Sequence, residues 1–469
     1  MDPEALGARL DRILADPALR RAHVGLAVQV LETGEMLYDR NGEKRFVPAS
    51  NAKLVTAAAG LALLGSGHRW RTRLVAAGRL SGDRLRGDLW VVGGGDPRLT
   101  REEIASWPER LRRVGIRRID GDLVGDDRIF APPVWSRGWM WDDLYGGWST
   151  GVSGLQVSPA GVRAKLAPAL ELGEPASLRI EGPARPPLRL DVRTGAPGSE
   201  ARLAFVPSPE GGAVRLTGWI PAGPDSVSLF LSPGHPTLHL LSVLRAELEA
   251  AGIDVRGRVR RAGEAETPGT EAWSVEIVSD SLGALLPDLL KPSDNQMAES
   301  ILRTVGLEAG EGADPAGGVE AIRRLLAGWA IEPGSIELTD GSGLSRYDEV
   351  TPNALNRILR AMWRRPDFAL FEYALPLAGG DGTLEGRMLG THAYGNARAK
   401  TGSLSGVRAL SGYVRDGGGR TLAFSLLVNG YEVPGPVAAA LEDLVVEQLA
   451  LYRRDPAAPR PRTDGSEAP

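Results

Sequence analysis

The sequence predicts an α/β fold whose main domain is split in two by a large, mostly-β insert. Three observations carry this expectation. The chain has 469 residues, more than one hydrophobic core organises, so two or three domains are expected. Helical and β patterns mix at both ends, and each end is incomplete without the other. Between about 70 and 270 the texture changes to short β-like runs broken by Gly and Pro.

Taken in order, PEALGARLDRILAD spaces Ala5, Leu10, Ile13 and Leu14 as a helix does. VGLAVQVLETGEMLYDRNG reads as a hairpin around Thr33 and Gly34. PASNAKLVTAAAGLALLGSG is an Ala- and Leu-rich helix with almost no polar face, ended by Gly65-Ser66-Gly67, and a helix that apolar belongs in a core. The middle carries the β runs LWVVGGGDP, ASLRIEGP, LRLDVRTG, ARLAFVPS, AVRLTGWI and SVSLFLSP, with one amphipathic helix, HPTLHLLSVLRAELEAAG, near its end. Helical patterns return from about 273 in SLGALLPDLL, QMAESILRTVG and VEAIRRLLAGWA. Two β runs follow, VRALSGYVRD and RTLAFSLLVNG, then a last helix, PVAAALEDLVVEQLALYRR, and a Pro-rich tail expected to be disordered. The economical reading is one α/β domain formed by 1–68 and 273–455, with the insert between.

Composition excludes several classes. Net charge is −4 with scattered arginines, which is not the clustered basic face of a nucleic-acid binder. There is no cysteine, so neither disulfides nor thiolate chemistry is available. No apolar run approaches the ~20 residues that span a bilayer. The N-terminal stretch lacks the basic-then-apolar layout of a signal peptide.

Lysine usage points to the chemistry. Fifty of the 55 basic residues are arginine, and lysine occurs only at 44, 53, 165, 291 and 400. In PASNAK, Ser50 and Lys53 stand three apart and share a helical face near the helix N-terminus, where the macrodipole favours developing negative charge. A serine hydroxyl needs a base to become a nucleophile. Lysine can be that base because burial lowers its pKa, whereas arginine stays protonated. The pair alone leaves open a helix cap and a snorkelling cation. In LKPSDNQMAE (290–299), Ser293-Asp294-Asn295 precedes a helix, and Ser293 with Gln296 also fits a capping box. In RAKTGSLSG (398–406), Lys400-Thr401-Gly402 opens a strand on which 400 and 402 face one way and 401 and 403 the other. Gly402 would let a substrate backbone come close, and an edge strand blunted by lysine is the alternative. Together, S-x-x-K, S-D-N and K-T-G in this order form the signature of penicillin-recognising serine enzymes, and two of the five lysines fall in it.

On these motifs the chain resembles the D-alanyl-D-alanine carboxypeptidase/endopeptidases, the class C low-molecular-mass penicillin-binding proteins. Some 240 residues separate Lys53 from Ser293, as in that family, and GGGDPRL (93–99), GWMWDDL (138–144), DGSGLSR (340–346) and GGDGTLEGRM (379–388) are similar too. The resemblance implies a β-lactamase/transpeptidase-like α/β domain, an antiparallel sheet with helices on both faces, interrupted by two inserted domains. These are 69–160 with 232–272, and the mostly-β 161–231, while 456–469 is the disordered tail. It implies Ser50 as the acylated serine, Lys53 as its base, Ser293 as proton shuttle and Asn295 as holder of the acyl-side amide and of Lys53. Lys400, Thr401 and Ser403 would bind the terminal carboxylate beside Gly402, and the N–H groups of Ser50 and Ser403 would form the oxyanion hole. Lys400 would also help depress the pKa of Lys53. Trp139, Asp142 or Asp143, and Arg346 are the candidates for a pocket reading a diaminopimelate-type side chain. No cofactor or metal is expected; peptidoglycan stem peptides are the partners, β-lactams covalent inhibitors, and the location extracytoplasmic. Ser403 departs from the threonine usual in the family.

Other motifs carry less. GWSTG (147–151) fits a nucleophile elbow at Ser149 but has no strand before it or helix after. His235 and His239 lack the Glu of a zincin between them, and they are expected as surface residues at a helix start. GGGDP lacks the lysine of a phosphate loop and reads as a turn. The rival functions are a β-lactamase or esterase on the same fold and a non-catalytic cell-wall-binding protein.

Overall fold

The computed structural model describes residues 3–183, 186, 188–206 and 214–454; the tail expected at 456–469 lies outside them. A five-stranded antiparallel sheet is built from both ends of the chain. Its strands are β1 (His23–Val30), β2 (Met36–Arg40), β3 (Arg398–Leu404), β4 (Val407–Arg415) and β5 (Thr421–Asn429), in the order β3-β4-β5-β1-β2. Alternation sorts side chains between its two faces. Val24, Leu26 and Val28 of β1 and Leu422, Phe424 and Leu426 of β5 enter one core, with the helices α1 (Pro3–Leu14) and, from the far end of the chain, Gly435–Leu451. Ala423 and Leu427 enter the other core, under α2 (Ala52–Ala59), α3 (Asn295–Glu308) and α4 (Pro352–Trp363). Because both faces are covered, β5 reads as a nearly unbroken apolar run.

The expected all-helical stretch at 49–64 divides locally. A 3₁₀ turn, Ala49–Asn51, carries Ser50, α2 follows, and a wider π turn, Gly60–Leu64, closes it. Every residue of α2 is buried, as its lack of a polar face requires.

The insert holds a seven-stranded mixed sheet, with Arg71–Ser81 and Arg84–Val92 near its centre, and two three-stranded sheets formed by strands between 162 and 231. It contains more helix than expected. Besides Pro236–Ala250, the segment Arg101–Arg113 is helical, and both pack on the large sheet through Trp107, Leu111, Leu240 and Leu244. Pro108 obscures the Arg101–Arg113 helix, but Thr100 and Glu103 form a capping box that announces it. In the second half, α4 and Phe368–Ala374 were not anticipated, although Thr351 caps α4 and Pro352 opens it.

His235 and His239 are a correction. Both are partly buried rather than on the surface, and burial lowers both imidazole pKa values, that of His239 to about 4. They stand at the start of a helix whose next turn enters the core.

Candidate functional site

The three motifs converge where the 3₁₀ turn, the start of α3 and the edge strand β3 meet. Ser50 is half-buried in the middle of the turn, and Ala49 before it holds φ at 47°, a conformation L-residues seldom adopt. Gly343 sits beneath: a Cβ there would lie 1.9 Å from the Ala49 carbonyl oxygen and 3.1 Å from Ser50 N. Gly402 presses from β3, where a Cβ would meet the Pro48 carbonyl oxygen at 2.7 Å. Its smallness therefore accommodates the protein's own turn, and the Asn51 amide ties that turn to the Lys400 carbonyl at 3.1 Å.

Lys53 is fully buried, and its three ammonium donors find three acceptors. Nζ donates to Ser50 Oγ at 2.9 Å, to Asn295 Oδ1 at 2.5 Å and to the Ser342 carbonyl at 2.6 Å. Burial lowers its pKa to about 8, against the carboxylates of Asp340, Asp294, Glu299 and Asp348, which favour the charged form. Lys400, also buried, is pushed well below its usual range by burial and then by the charge of Lys53.

Ser293 adopts φ 67°, and its hydroxyl accepts from Lys400 Nζ at 2.9 Å. It does not cap α3. Asp294 does, accepting the Met297 N–H at 2.8 Å, which frees Ser293 from the capping-box alternative. Asn295 is oriented by its two contacts, Oδ1 on Lys53 and Nδ2 donating to the Trp148 carbonyl at 2.7 Å. One amide hydrogen remains uncommitted. A cavity of about 170 Å³ opens alongside, walled by Trp148, Phe230 and Pro159 with Ser293 and Asn295.

On β3, Lys400 and Gly402 are buried while Thr401 is half-buried and Ser403 exposed, as strand alternation dictates. Lys400 Nζ also donates to the Thr401 carbonyl at 2.8 Å, so it reaches Ser293 rather than the open face of the strand. The Thr401 hydroxyl lies 2.6 Å from that of Thr383, in a loop held by the Lys291–Asp381 ion pair at 2.6 Å.

The four side-chain-pocket candidates separate. Trp139 turns inward and donates its indole N–H to buried Asp340 at 2.8 Å. Asp142 is exposed. Asp143 is half-buried; burial and Asp142 push its carboxyl up, with Trp148 and the charge of Arg346 acting against them. Arg346 also donates to the Ser405 carbonyl at 3.0 Å, at the turn after β3. Ser149 is buried with its hydroxyl on the Asp143 and Gly146 carbonyls, so the nucleophile elbow is not formed.

Sequence reading missed Thr383, Trp148, Ser342 and Glu299 as neighbours of the site. Thr383 and Ser342 lie in segments already noted as family-like, and Trp148 in the rejected GWSTG. The contribution of Ser342 is a backbone carbonyl, which no side-chain pattern signals. Among the described residues no group of three or more His, Asp or Glu is placed to hold a metal ion, and no helix is long and apolar enough to cross a membrane.

Comparison with known proteins gives one answer along the chain. The model of the D-Ala-D-Ala carboxypeptidase 3 (S13) family matches residues 6–450. A D-alanyl-D-alanine carboxypeptidase of Actinomadura sp. (strain R39) is 36% identical over 479 residues, covering 96% of this chain and 86% of that one. The crystal structure of penicillin binding protein 4 (dacB) from Haemophilus influenzae superposes with a TM-score of 0.84 at 26% identity, covering 94% of this chain and 99% of the other. The same protein complexed with a β-lactam gives a TM-score of 0.76 at 24% identity, covering 93% and 98%.

Proposed function

The chain belongs to the D-Ala-D-Ala carboxypeptidase 3 (S13) family and is a serine DD-peptidase, and from that premise we propose how its residues divide the reaction. The observation that carries the proposal is the buried Lys53 amine 2.9 Å from Ser50 Oγ, with a pKa lowered to about 8. In its neutral form Lys53 takes the Ser50 proton, and Oγ attacks the carbonyl carbon of the penultimate D-alanine. The N–H groups of Ser50 and Ser403 receive the developing oxyanion. Ser293, held by Lys400 and resupplied with the proton that Lys53 took, passes a proton to the leaving nitrogen; the C–N bond breaks, and D-alanine or a cross-linking amine departs. Water then cleaves the ester, and its proton returns through the same groups. The uncommitted amide hydrogen of Asn295 holds the acyl-side carbonyl. The terminal carboxylate is met by the Thr401 and Ser403 hydroxyls, with Gly402 keeping β3 against the nucleophile turn and Lys400 acting through Ser293.

A β-lactam acylates Ser50 by the same path, but its leaving group stays tethered and blocks water. Asp142, Asp143 and Arg346 flank the cleft and read the free end of a stem-peptide side chain, while Trp139 is turned to Asp340. In this proposal residues 1–68 with 273–455 form the catalytic domain, and 69–160 with 232–272, and 161–231, are two inserted domains. It places the enzyme outside the cytoplasmic membrane, where peptidoglycan stem peptides lie.

The test is D-alanine release from an N-acylated tripeptide ending in D-Ala-D-Ala, beside cleavage of a cross-linked stem-peptide dimer. Both activities should vanish in Ser50→Ala and fall steeply in Ser293→Ala. Retention of either in Ser50→Ala would remove the proposed roles.

A further inference from the structure

Glu299 stands on α3 one turn beyond Asn295, fully buried, and no step above uses it. Its Oε1 accepts the backbone N–H of Gly341 at 2.8 Å and of Ser342 at 2.9 Å. Its Oε2 accepts the Ser136 hydroxyl at 2.7 Å. The backbone it grips runs directly into the group that meets the base. The Ser342 carbonyl is an acceptor of Lys53 Nζ, and the Gly341 carbonyl takes the hydroxyl of Thr56, three residues on from Lys53 in α2, at 2.7 Å.

Asp340 completes the support. Also buried, it accepts from the N–H groups of Ser342, Gly343 and Ser345 and from the Trp139 indole. The loop it shapes carries Gly343, which touches the Ala49 carbonyl next to Ser50. Two carboxylates thus hold one loop, and that loop holds both the amine of Lys53 and the turn of Ser50. Ser136 and Trp139, which hold the carboxylates in turn, come from the inserted half of the chain.

A buried carboxylate is costly unless its lone pairs are met, and Glu299 commits them to two backbone N–H groups and a hydroxyl that an apolar side chain would leave unpaired. Glu299 is therefore expected where geometry, rather than packing, has to be fixed. We propose that Glu299 is a positioning residue for acylation: it fixes the backbone at Gly341 and Ser342, one peptide before the group whose Ser342 carbonyl holds Lys53 against Ser50 and whose Gly343 N–H is held by Asp340. Through Ser136 and Trp139 the insert becomes a working part of the catalytic unit. The inference rests on Lys53 acting as the base.

The experiment compares Glu299→Ala and Glu299→Gln in the full chain. It measures the rate of benzylpenicillin adduct formation, kcat and KM on a D-Ala-D-Ala peptide, and thermal unfolding. A base displaced by about 1 Å costs roughly 10²-fold in rate. Glu299→Ala should acylate roughly 10- to 100-fold more slowly, with kcat carrying the loss and KM within about twofold. Glu299→Gln, whose amide oxygen can accept from both N–H groups and whose NH₂ can donate to Ser136, should recover to within about fivefold of wild type. Should Glu299→Ala fail to fold, Ser136→Ala carries the test with a drop of about threefold to tenfold, in kcat rather than KM. Wild-type rates in the folded variants, or a Gln variant no better than Ala, would overturn the proposal. If the wild type itself formed no adduct, it is the assignment of Ser50 and Lys53 that would fall.

Discussion

Lys53→Arg keeps a cation and removes the titratable amine that sets this lysine apart from the chain's fifty arginines. Both side chains can be cationic and can donate to Ser50, Asn295 and Ser342; only lysine can give up its proton. With a pKa of about 8, roughly a tenth of Lys53 is neutral at pH 7. An arginine with pKa above about 12 would be neutral in fewer than about one molecule in 10⁵. The ratio predicts a fall of about 10⁴-fold in acylation, the top of the range for general-base catalysis. The sign with pH follows: Lys53 loses its proton as pH rises through about 8, so wild-type acylation should climb about tenfold per unit below pH 8 and level off above it. The assay is a stopped time course with benzylpenicillin read by intact mass between pH 5.5 and 9.5, with thermal unfolding checking the variant's fold. Acylation of folded Lys53→Arg within about tenfold of wild type would refute the requirement for a titratable amine.

Three further outcomes follow from particular contacts. Gly343→Ala would push a methyl into the Ala49 carbonyl at a residue with φ of 80°, so acylation should fall by at least about 10²-fold, measured as above. Asp294→Ala removes the cap of α3 and should cost about 1 kcal/mol in denaturant unfolding. Asp96 in the GGGDP turn is buried, and burial raises its carboxyl pKa to about 6. Its raised value means stability is full below the unfolded pKa near 4 and lost as pH rises to about 6. Asp96→Asn, which keeps the acceptor for the Arg98 N–H, should therefore be more stable than wild type at pH 7.5, by at most about 3 kcal/mol, and gain nothing at pH 3.5.

Much of the site was legible because its chemistry sits in side chains of fixed type. Ser50 pairs with Lys53 and Ser293 with Lys400, and the Asn51 amide ties the Ser50 turn to Lys400, although 350 positions separate Ser50 from Lys400. What escaped was supplied by backbone or by burial. Gly402 was taken for a substrate contact, but the space it leaves is filled by the Pro48 carbonyl, which only the packed fold reveals. The influence of Lys400 on Lys53 was inferred from charge alone, whereas burial dominates both. The sheet and most helices followed from periodicity. Arg101–Arg113 did not, since an internal proline masked a helix that its capping box declared.

The most direct test of the central claim is to treat the protein with benzylpenicillin, digest it and locate the adduct by mass. The mass of the whole drug is expected on the peptide containing Ser50, with no adduct in Ser50→Ala. A drug adduct on Ser293 or Ser149, or D-alanine release continuing in fully labelled protein, would contradict it.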